Sequence, residues 1–127
     1  MMNWKGLVTG GREGEKVEEK LWRMPLHKNF DKLINLDGQG LIISSKSEQF
    51  DFVSRYFCPK YGINEDPVTG SAHTTLIPYW ADKLNKSSMT AKQISNRGGI
   101  LYCTNLDERV LIGGKAVLYM KGVIEIT

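Results

Sequence analysis

The sequence predicts an α+β fold in which a largely antiparallel sheet curls round one long central helix. One segment, residues 67–84, has the apolar spacing of a long amphipathic helix, and short apolar or β-branched runs lie on both sides of it. Strands that flank a lone long helix, rather than alternate with several helices, favour α+β over α/β. The length of 127 residues fits one domain.

Three short elements are predicted before the long helix. Residues 1–24 are a poorly assignable N-terminal segment in which glycines lie among charged residues, and the predicted domain covers residues 25–127. The predicted elements, read from apolar spacing and from bounding Gly and Ser residues, are a helix at 29–34, a buried strand at 41–43 and a strand at 50–57.

The long helix is predicted to begin at Pro67 with Asp66 as its N-cap, because proline suits the first helical position. Pro78 removes one backbone hydrogen bond and is expected to kink the helix. The apolar stripe recurs every fourth residue and consists of Ala72, Leu76, Trp80 and Leu84.

The segments after the helix read as an antiparallel meander. Turn signals rich in Asn and Gly separate short apolar runs. The predicted strands lie at 89–95, 100–104 and 110–112, with one or two more within 116–126.

Composition narrows the function classes. The net charge of +3 is spread along the chain without a basic cluster beside aromatic residues, so nucleic acid is not an expected partner. No apolar run approaches the roughly 20 residues of a membrane span, and no signal peptide is visible, so we expect a cytoplasmic protein without membrane contact. Cys58 and Cys103 read as small buried hydrophobes. With two histidines and two scattered cysteines, no metal site is expected.

Residues 64–73, Asn-Glu-Asp-Pro-Val-Thr-Gly-Ser-Ala-His, are the candidate site. The start of a helix presents free N–H groups, here those of Thr69, Gly70 and Ser71, together with the positive end of the helix dipole. Gly70 has no side chain to block close approach. Such a place binds carboxylate or phosphate. Glu65 is expected to be a solvated acid that complements the dipole.

From about residue 40 onward the chain resembles the C-terminal half of the phenazine-biosynthesis PhzF-like family. That family shares its fold with diaminopimelate epimerase and proline racemase. The matching strings, of which Glu-Asp-Pro-Val-Thr-Gly-Ser-Ala-His is the most specific, lie at 51–57, 62–73, 78–80, 95–99 and 109–116.

The resemblance implies an isomerase that moves a proton at a carbon near a carboxylate of a small metabolite, with no metal or organic cofactor. It implies that Asp66 handles the proton and that the N–H groups of Gly70 and Ser71, with the Ser71 hydroxyl, hold the carboxylate beside Thr69. For His73, contact with the substrate and a structural hydrogen bond both remain open.

The resemblance also implies a second lobe, because family members are about twice this length and carry their principal catalytic glutamate in the other half. Association with a separate N-terminal half, a homodimer of two such lobes, and a truncated gene product all remain open. A non-catalytic remnant or small-anion-binding module is the alternative function. Ser71 and His73 lie two apart, which does not bring them onto one helix face, so a hydrolase pair is not expected.

Overall fold

The computed structural model describes residues 7–9, 30–35 and 38–126, and within these residues six strands form one sheet. The strands lie side by side in chain order. Two helices and a short 3-10 turn at Pro59–Tyr61 accompany them in the same residues. The strands are β1 (Leu7–Thr9), β2 (Leu41–Lys46), β3 (Phe52–Phe57), β4 (Ser88–Gln93), β5 (Gly99–Leu106) and β6 (Arg109–Gly113), and the helices are α1 (Phe30–Ile34) and α2 (Gly70–Leu84).

The sheet is mixed. The pairs β2–β3, β4–β5 and β5–β6 are antiparallel, whereas β1–β2 and β3–β4 are parallel. Parallel neighbours need a crossover connection, and α2 supplies it between β3 and β4. The α+β class is confirmed, and the meander predicted after the helix is observed as β4, β5 and β6.

Helix α2 packs on one face of the sheet through the predicted stripe. Ala72, Leu76 and Trp80 are buried, and they join a core cluster with Phe52 and Met89 from the strands. The rings of Phe52 and Trp80 stack with centroids 5.6 Å apart and planes 7° from parallel. The four-residue spacing therefore correctly predicted which face of the helix packs on the sheet.

The opposite face of the sheet carries a second apolar cluster. Because successive strand residues point to opposite faces, Phe52 packs under α2 while Val53 faces away from it. Val53, Phe57 and Ile94 are buried there, with Phe30 of α1 packed against them. The two clusters fix the register of β3, which lies near the middle of the sheet.

Two predictions are wrong, namely the start of the long helix and the strands expected within residues 116–126. Helix α2 begins at Gly70 with Thr69 as its N-cap, so neither Asp66 nor Pro67 has the predicted place in it. Residues 116–126 form no strand. The other elements, from α1 to β6, are confirmed within a few residues. Helix α2 ends at Leu84, and its C-cap Asn85 adopts the left-handed conformation with φ of 51°.

Most of the N-terminal segment, residues 1–24, lies outside the described residues. The exception is β1, which the sequence did not predict. The division at residue 24 therefore stays a prediction. No helix in the described part of the chain is long and apolar enough to cross a membrane.

Candidate functional site

The loop before α2 is fixed by tertiary hydrogen bonds rather than by helix capping. The backbone N–H of Asp66 donates to the carbonyl of Tyr56 at 3.0 Å, which connects the loop to the end of β3. The Thr69 hydroxyl donates to Oδ2 of Asp66 at 2.5 Å. This contact explains the wrong boundary, because the carboxylate engages a side chain of the loop instead of the N–H groups of the first helical turn.

Gln93, the last residue of β4, organises the same loop. Its side chain is fully buried, and its Oε1 accepts the N–H of Thr69 at 2.8 Å. Its Nε2 donates to the carbonyl of Asp66 at 2.7 Å and to Oγ1 of Thr69 at 3.1 Å. The N–H of Thr69 is therefore not available to a ligand, which corrects one of the three predicted donors.

Ser95 adds a second connection just beyond β4. Its hydroxyl donates to the carbonyl of Pro67 at 2.7 Å and accepts the N–H of Gly98 at 3.0 Å. Gly98, in the turn between β4 and β5, has a φ of 67°, a left-handed conformation that glycine adopts without strain. A side chain at Gly99 would collide with Val68, because a Cβ there would lie 2.4 Å from Cγ2 of Val68.

Glu65 is not the solvated acid that the sequence predicted. Its carboxylate accepts two hydrogen bonds from Arg55 of β3, Nε to Oε1 at 2.7 Å and a terminal guanidinium nitrogen to Oε2 at 2.9 Å. The two side chains are 13% and 19% exposed. A bidentate pair in this partly buried position anchors the front of the loop to the sheet.

His73 lies behind the loop and is fully buried. Its Nδ1 lies 2.7 Å from the carbonyl of Thr69, and since a carbonyl only accepts, Nδ1 carries the proton. Nε2 then accepts from the hydroxyl of Ser54 at 3.4 Å. Burial lowers the pKa of His73, against the opposing effect of the hydrogen bond to Thr69. The structure thus shows the hydrogen-bonded alternative, and contact with a substrate stays a prediction.

Two protonated groups lie near Asp66 on the sheet side. Burial, followed by the nearby Cys58, Tyr61 and Asp66, raises the pKa of Tyr56 to about 12. Burial and then Asp66 raise the pKa of the Cys58 thiol. Both groups therefore stay neutral at physiological pH, as does buried Cys103, whose pKa burial raises to about 11. Cys58 and Cys103 are free and buried, as predicted.

The first turn of α2 is open. The N–H groups of Gly70 and Ser71 belong to the first turn and have no acceptor within the helix, and the side chain of Thr69 makes no capping hydrogen bond. Gly70 is exposed, and a Cβ built on it would meet no atom within 4 Å. These two N–H groups and the positive end of the helix dipole remain available to an anion.

A groove of about 670 Å³ opens beside this turn. Gly70 and Val68 form one side, and the start of β5 with the end of β6 forms the other. Arg97 and Lys115 supply positive charge, and none of the described residues that line the groove is acidic. Of the predicted site residues only Gly70 lines it. Asp66, Thr69 and Ser71 belong to the adjoining loop and first turn.

Several residues that shape the site were missed from the sequence. Gln93 occupies an ordinary position of an alternating strand, and nothing in its local pattern distinguishes it. Arg55 and Ser95 fall within the strings that carry the family resemblance, which is the signal that could have found them. No cluster of three or more metal-ligating side chains occurs in the residues that the structure describes.

The fold and this arrangement define an α+β domain with an open, positively charged groove at the start of α2. The chain belongs to the phenazine biosynthesis-like (PhzC-PhzF) protein family, whose model matches residues 16–122.

Named relatives agree with this assignment. A Pseudomonas aeruginosa protein described as an uncharacterized isomerase is 50% identical over 110 residues, which are 87% of this chain and 42% of the relative. An isomerase so described from Halalkalibacterium halodurans is 48% identical over 98 residues, 76% of this chain and 37% of the relative. The crystal structure of a PhzF-family protein from Enterococcus faecalis superposes with a TM-score of 0.78 at 44% identity, covering 91% of this chain and 42% of that one. The chain thus spans about two fifths of the length of these relatives.

Proposed function

We propose that the chain forms one lobe of a cofactor-independent isomerase that transfers a proton on a small carboxylate-bearing metabolite. In this lobe the sheet curls round α2 as a central helix, and the open start of α2 forms one wall of the active-site cleft. The observation that carries the proposal is the unblocked first turn beside a groove whose described lining has two cationic side chains and no acid. The isomerase relatives supply the reaction class.

The proposed roles follow from the positions of the side chains. The N–H groups of Gly70 and Ser71, assisted by the Ser71 hydroxyl, bind the substrate carboxylate, and Arg97 and Lys115 attract it. Asp66 accepts or returns the proton at the neighbouring carbon. Thr69 holds the Asp66 carboxylate through its hydroxyl, so the reactive oxygen has a fixed direction.

His73 supports this arrangement from the interior. Its proton on Nδ1 is donated to the carbonyl of Thr69, which occupies the N-cap position of α2 and donates its hydroxyl to Asp66. We propose that His73 positions the first turn rather than contacting substrate. No metal or organic cofactor enters the proposal, and the proposed setting is the cytoplasm, in keeping with two free buried thiols.

A small-anion-binding module without turnover is the second candidate. One observation favours it. The described residues include the groups needed to bind an anion, but they include a single acid, Asp66, that is proposed for proton transfer. Catalysis of proton exchange on both faces of a carbon needs a second acid or base opposite Asp66. In the proposed isomerase the other lobe supplies it.

Binding is tested by NMR titration with glycolate, with uncharged ethylene glycol as the matched control. We expect amide shifts at Gly70 and Ser71 with glycolate alone. Gly70→Ala places a methyl group into the open site and should weaken glycolate binding about tenfold, whereas Gly122→Ala, also without neighbours, should not. Unchanged shifts at saturating glycolate would rule out the anion site.

Turnover is tested separately by deuterium uptake from solvent into carbon positions of small amino and hydroxy acids. Asp66→Asn keeps an oxygen to accept from Thr69 but cannot take a proton, and it should slow exchange by about 10²-fold or more. Exchange that Asp66→Asn leaves unchanged would remove Asp66 from the mechanism. The decisive version of this test joins the chain to the remaining part of the Pseudomonas aeruginosa relative, which supplies the other lobe. Glycolate binding without any exchange in that protein would favour the binding module.

A further inference from the structure

The side-chain amide of Gln93 has a single orientation that satisfies its neighbours. The backbone N–H of Thr69 can only donate, and it lies 2.8 Å from Oε1. The backbone carbonyl of Asp66 can only accept, and it lies 2.7 Å from Nε2. Exchanging the two ends of the amide would place donor against donor and acceptor against acceptor. Nε2 therefore uses one hydrogen for the carbonyl of Asp66 and keeps its second for Oγ1 of Thr69, at 3.1 Å.

This second hydrogen determines the direction of the Thr69 hydroxyl. Oγ1 accepts from Gln93, and its own single hydrogen must go to an acceptor. Among the described residues that acceptor is Oδ2 of Asp66, at 2.5 Å. Gln93 is fully buried and Thr69 is 6% exposed, so water has little access to either group. The hydrogen bonds therefore run in one direction, from Gln93 to Thr69 to Asp66, and we call these three side chains the relay.

The relay makes the two oxygens of the Asp66 carboxylate unequal. Oδ2 accepts from Thr69, whereas no described residue donates to Oδ1. A proton on Oδ2 would point at Oγ1 of Thr69, and the hydroxyl hydrogen would then lose its acceptor. A buried hydroxyl without an acceptor is unfavourable. A proton on Oδ1 leaves every hydrogen bond of the relay in place.

We propose that Gln93 is a positioning residue for proton transfer, because through Thr69 it reserves Oδ2 of Asp66 and leaves Oδ1 to take the proton. The inference rests on the proposed function, in which Asp66 is the acid and base. In the step, a C–H bond of the substrate breaks and its electron pair stays on the substrate, while the proton forms an O–H bond with Oδ1. Return of the proton reverses both changes. Gln93 acts only through Thr69.

Neutron diffraction from crystals of the chain in D2O tests the relay without any need for turnover. We expect two deuterons on Nε2 of Gln93, one of them directed at Oγ1 of Thr69, and the hydroxyl deuteron directed at Oδ2 of Asp66. A hydroxyl deuteron that points away from Asp66 would overturn the proposal. Crystals at acidic pD, in which Asp66 carries a deuteron, should show it on Oδ1. A deuteron on Oδ2 would overturn the proposal as well.

Turnover is tested in the protein that joins this chain to the remaining part of the Pseudomonas aeruginosa relative, by deuterium uptake into substrate. Gln93→Glu places an oxygen where Nε2 lies, so the Thr69 hydrogen gains a second acceptor. We expect this change to slow uptake about tenfold. In a Thr69→Val background, which has no hydroxyl, it should change uptake by less than about twofold. If Gln93 only shaped the loop, the loss would be the same in both backgrounds, and that result would overturn the proposal.

Two controls separate positioning from binding and from folding. Thr69→Ser keeps the hydroxyl and should retain uptake within about threefold. Glycolate affinity should stay within about twofold in all variants, because the N–H groups of Gly70 and Ser71 hold the carboxylate. A loss of glycolate affinity equal to the loss of uptake would overturn the proposal. Absence of uptake in the unsubstituted fused protein would count against the isomerase, whereas a misdirected deuteron in the neutron structure counts against the relay alone.

Discussion

Replacing Gln93 with Met tests whether one strand residue sets the geometry of the loop before α2. Met is close to Gln in length but leaves the N–H of Thr69 and the carbonyl of Asp66 without their partner. Thr69 is 6% exposed, so its N–H costs about 1–3 kcal/mol when unsatisfied. Asp66 is only partly buried and water can reach its carbonyl, so we assign about 1 kcal/mol to it. The expected loss in free energy of unfolding is about 2–4 kcal/mol.

The assay is equilibrium unfolding in urea, followed by circular dichroism, with an unchanged slope as the check that the unfolded state is the same. Gln49→Met is the matched control, because Gln49 is exposed, and it should change the free energy by less than about 0.5 kcal/mol. Amide shifts of Gly70 and Ser71 should move in the Gln93 variant and not in the control. A Gln93→Met loss no larger than that of Gln49→Met would refute the role of Gln93.

Two further predictions concern charge. Because burial lowers the pKa of His73 below 6.5, its neutral form stabilises the fold, and the free energy of unfolding should decrease as pH falls from about 6.5 through the folded pKa. His73→Gln should remove this component, as measured by urea unfolding across that pH range. A double-mutant cycle on Arg55 and Glu65 should give a coupling of about 1–3 kcal/mol, since both side chains are largely shielded. The Lys86–Asp51 pair, whose lysine is 54% exposed, should give less than about 1 kcal/mol, and equal couplings would contradict this reading.

The sequence predicted the elements whose signal is local. The four-residue stripe of α2 and the apolar runs of the strands predict which of their side chains are buried, because each pattern reflects the geometry of one element. The predicted start of α2 was wrong by three residues, because local sequence does not contain the contacts that determine it. Asp66-Pro67 has the local chemistry of a helix start, but Gln93 and Tyr56 hold this dipeptide outside the helix, and neither is near it in sequence.

The candidate site was predictable in its chemistry and not in its supports. Gly70 and Ser71 were identified because a helix start next to glycine is receptive to anions in almost any fold. The pairing of Glu65 with Arg55 depends on the end of β3 lying beside the loop, which local pattern does not contain. The exposure of residues 116–126 was not predicted either, since their composition predicts a strand but does not identify the strand with which it would pair.

The hydrogen bonds of Gln93 and Ser95 have a consequence for the order of folding. Apart from the short contact between Ser95 and Gly98, they join residues 24 to 28 positions apart, across a parallel crossover that exists only after β4 has paired with β3. Contacts of this separation form late, because the intervening chain must be ordered before they are gained. We therefore expect Thr69 and Asp66 to acquire their final geometry only when the sheet does, so that in a refolding chain α2 forms before the loop takes its final shape.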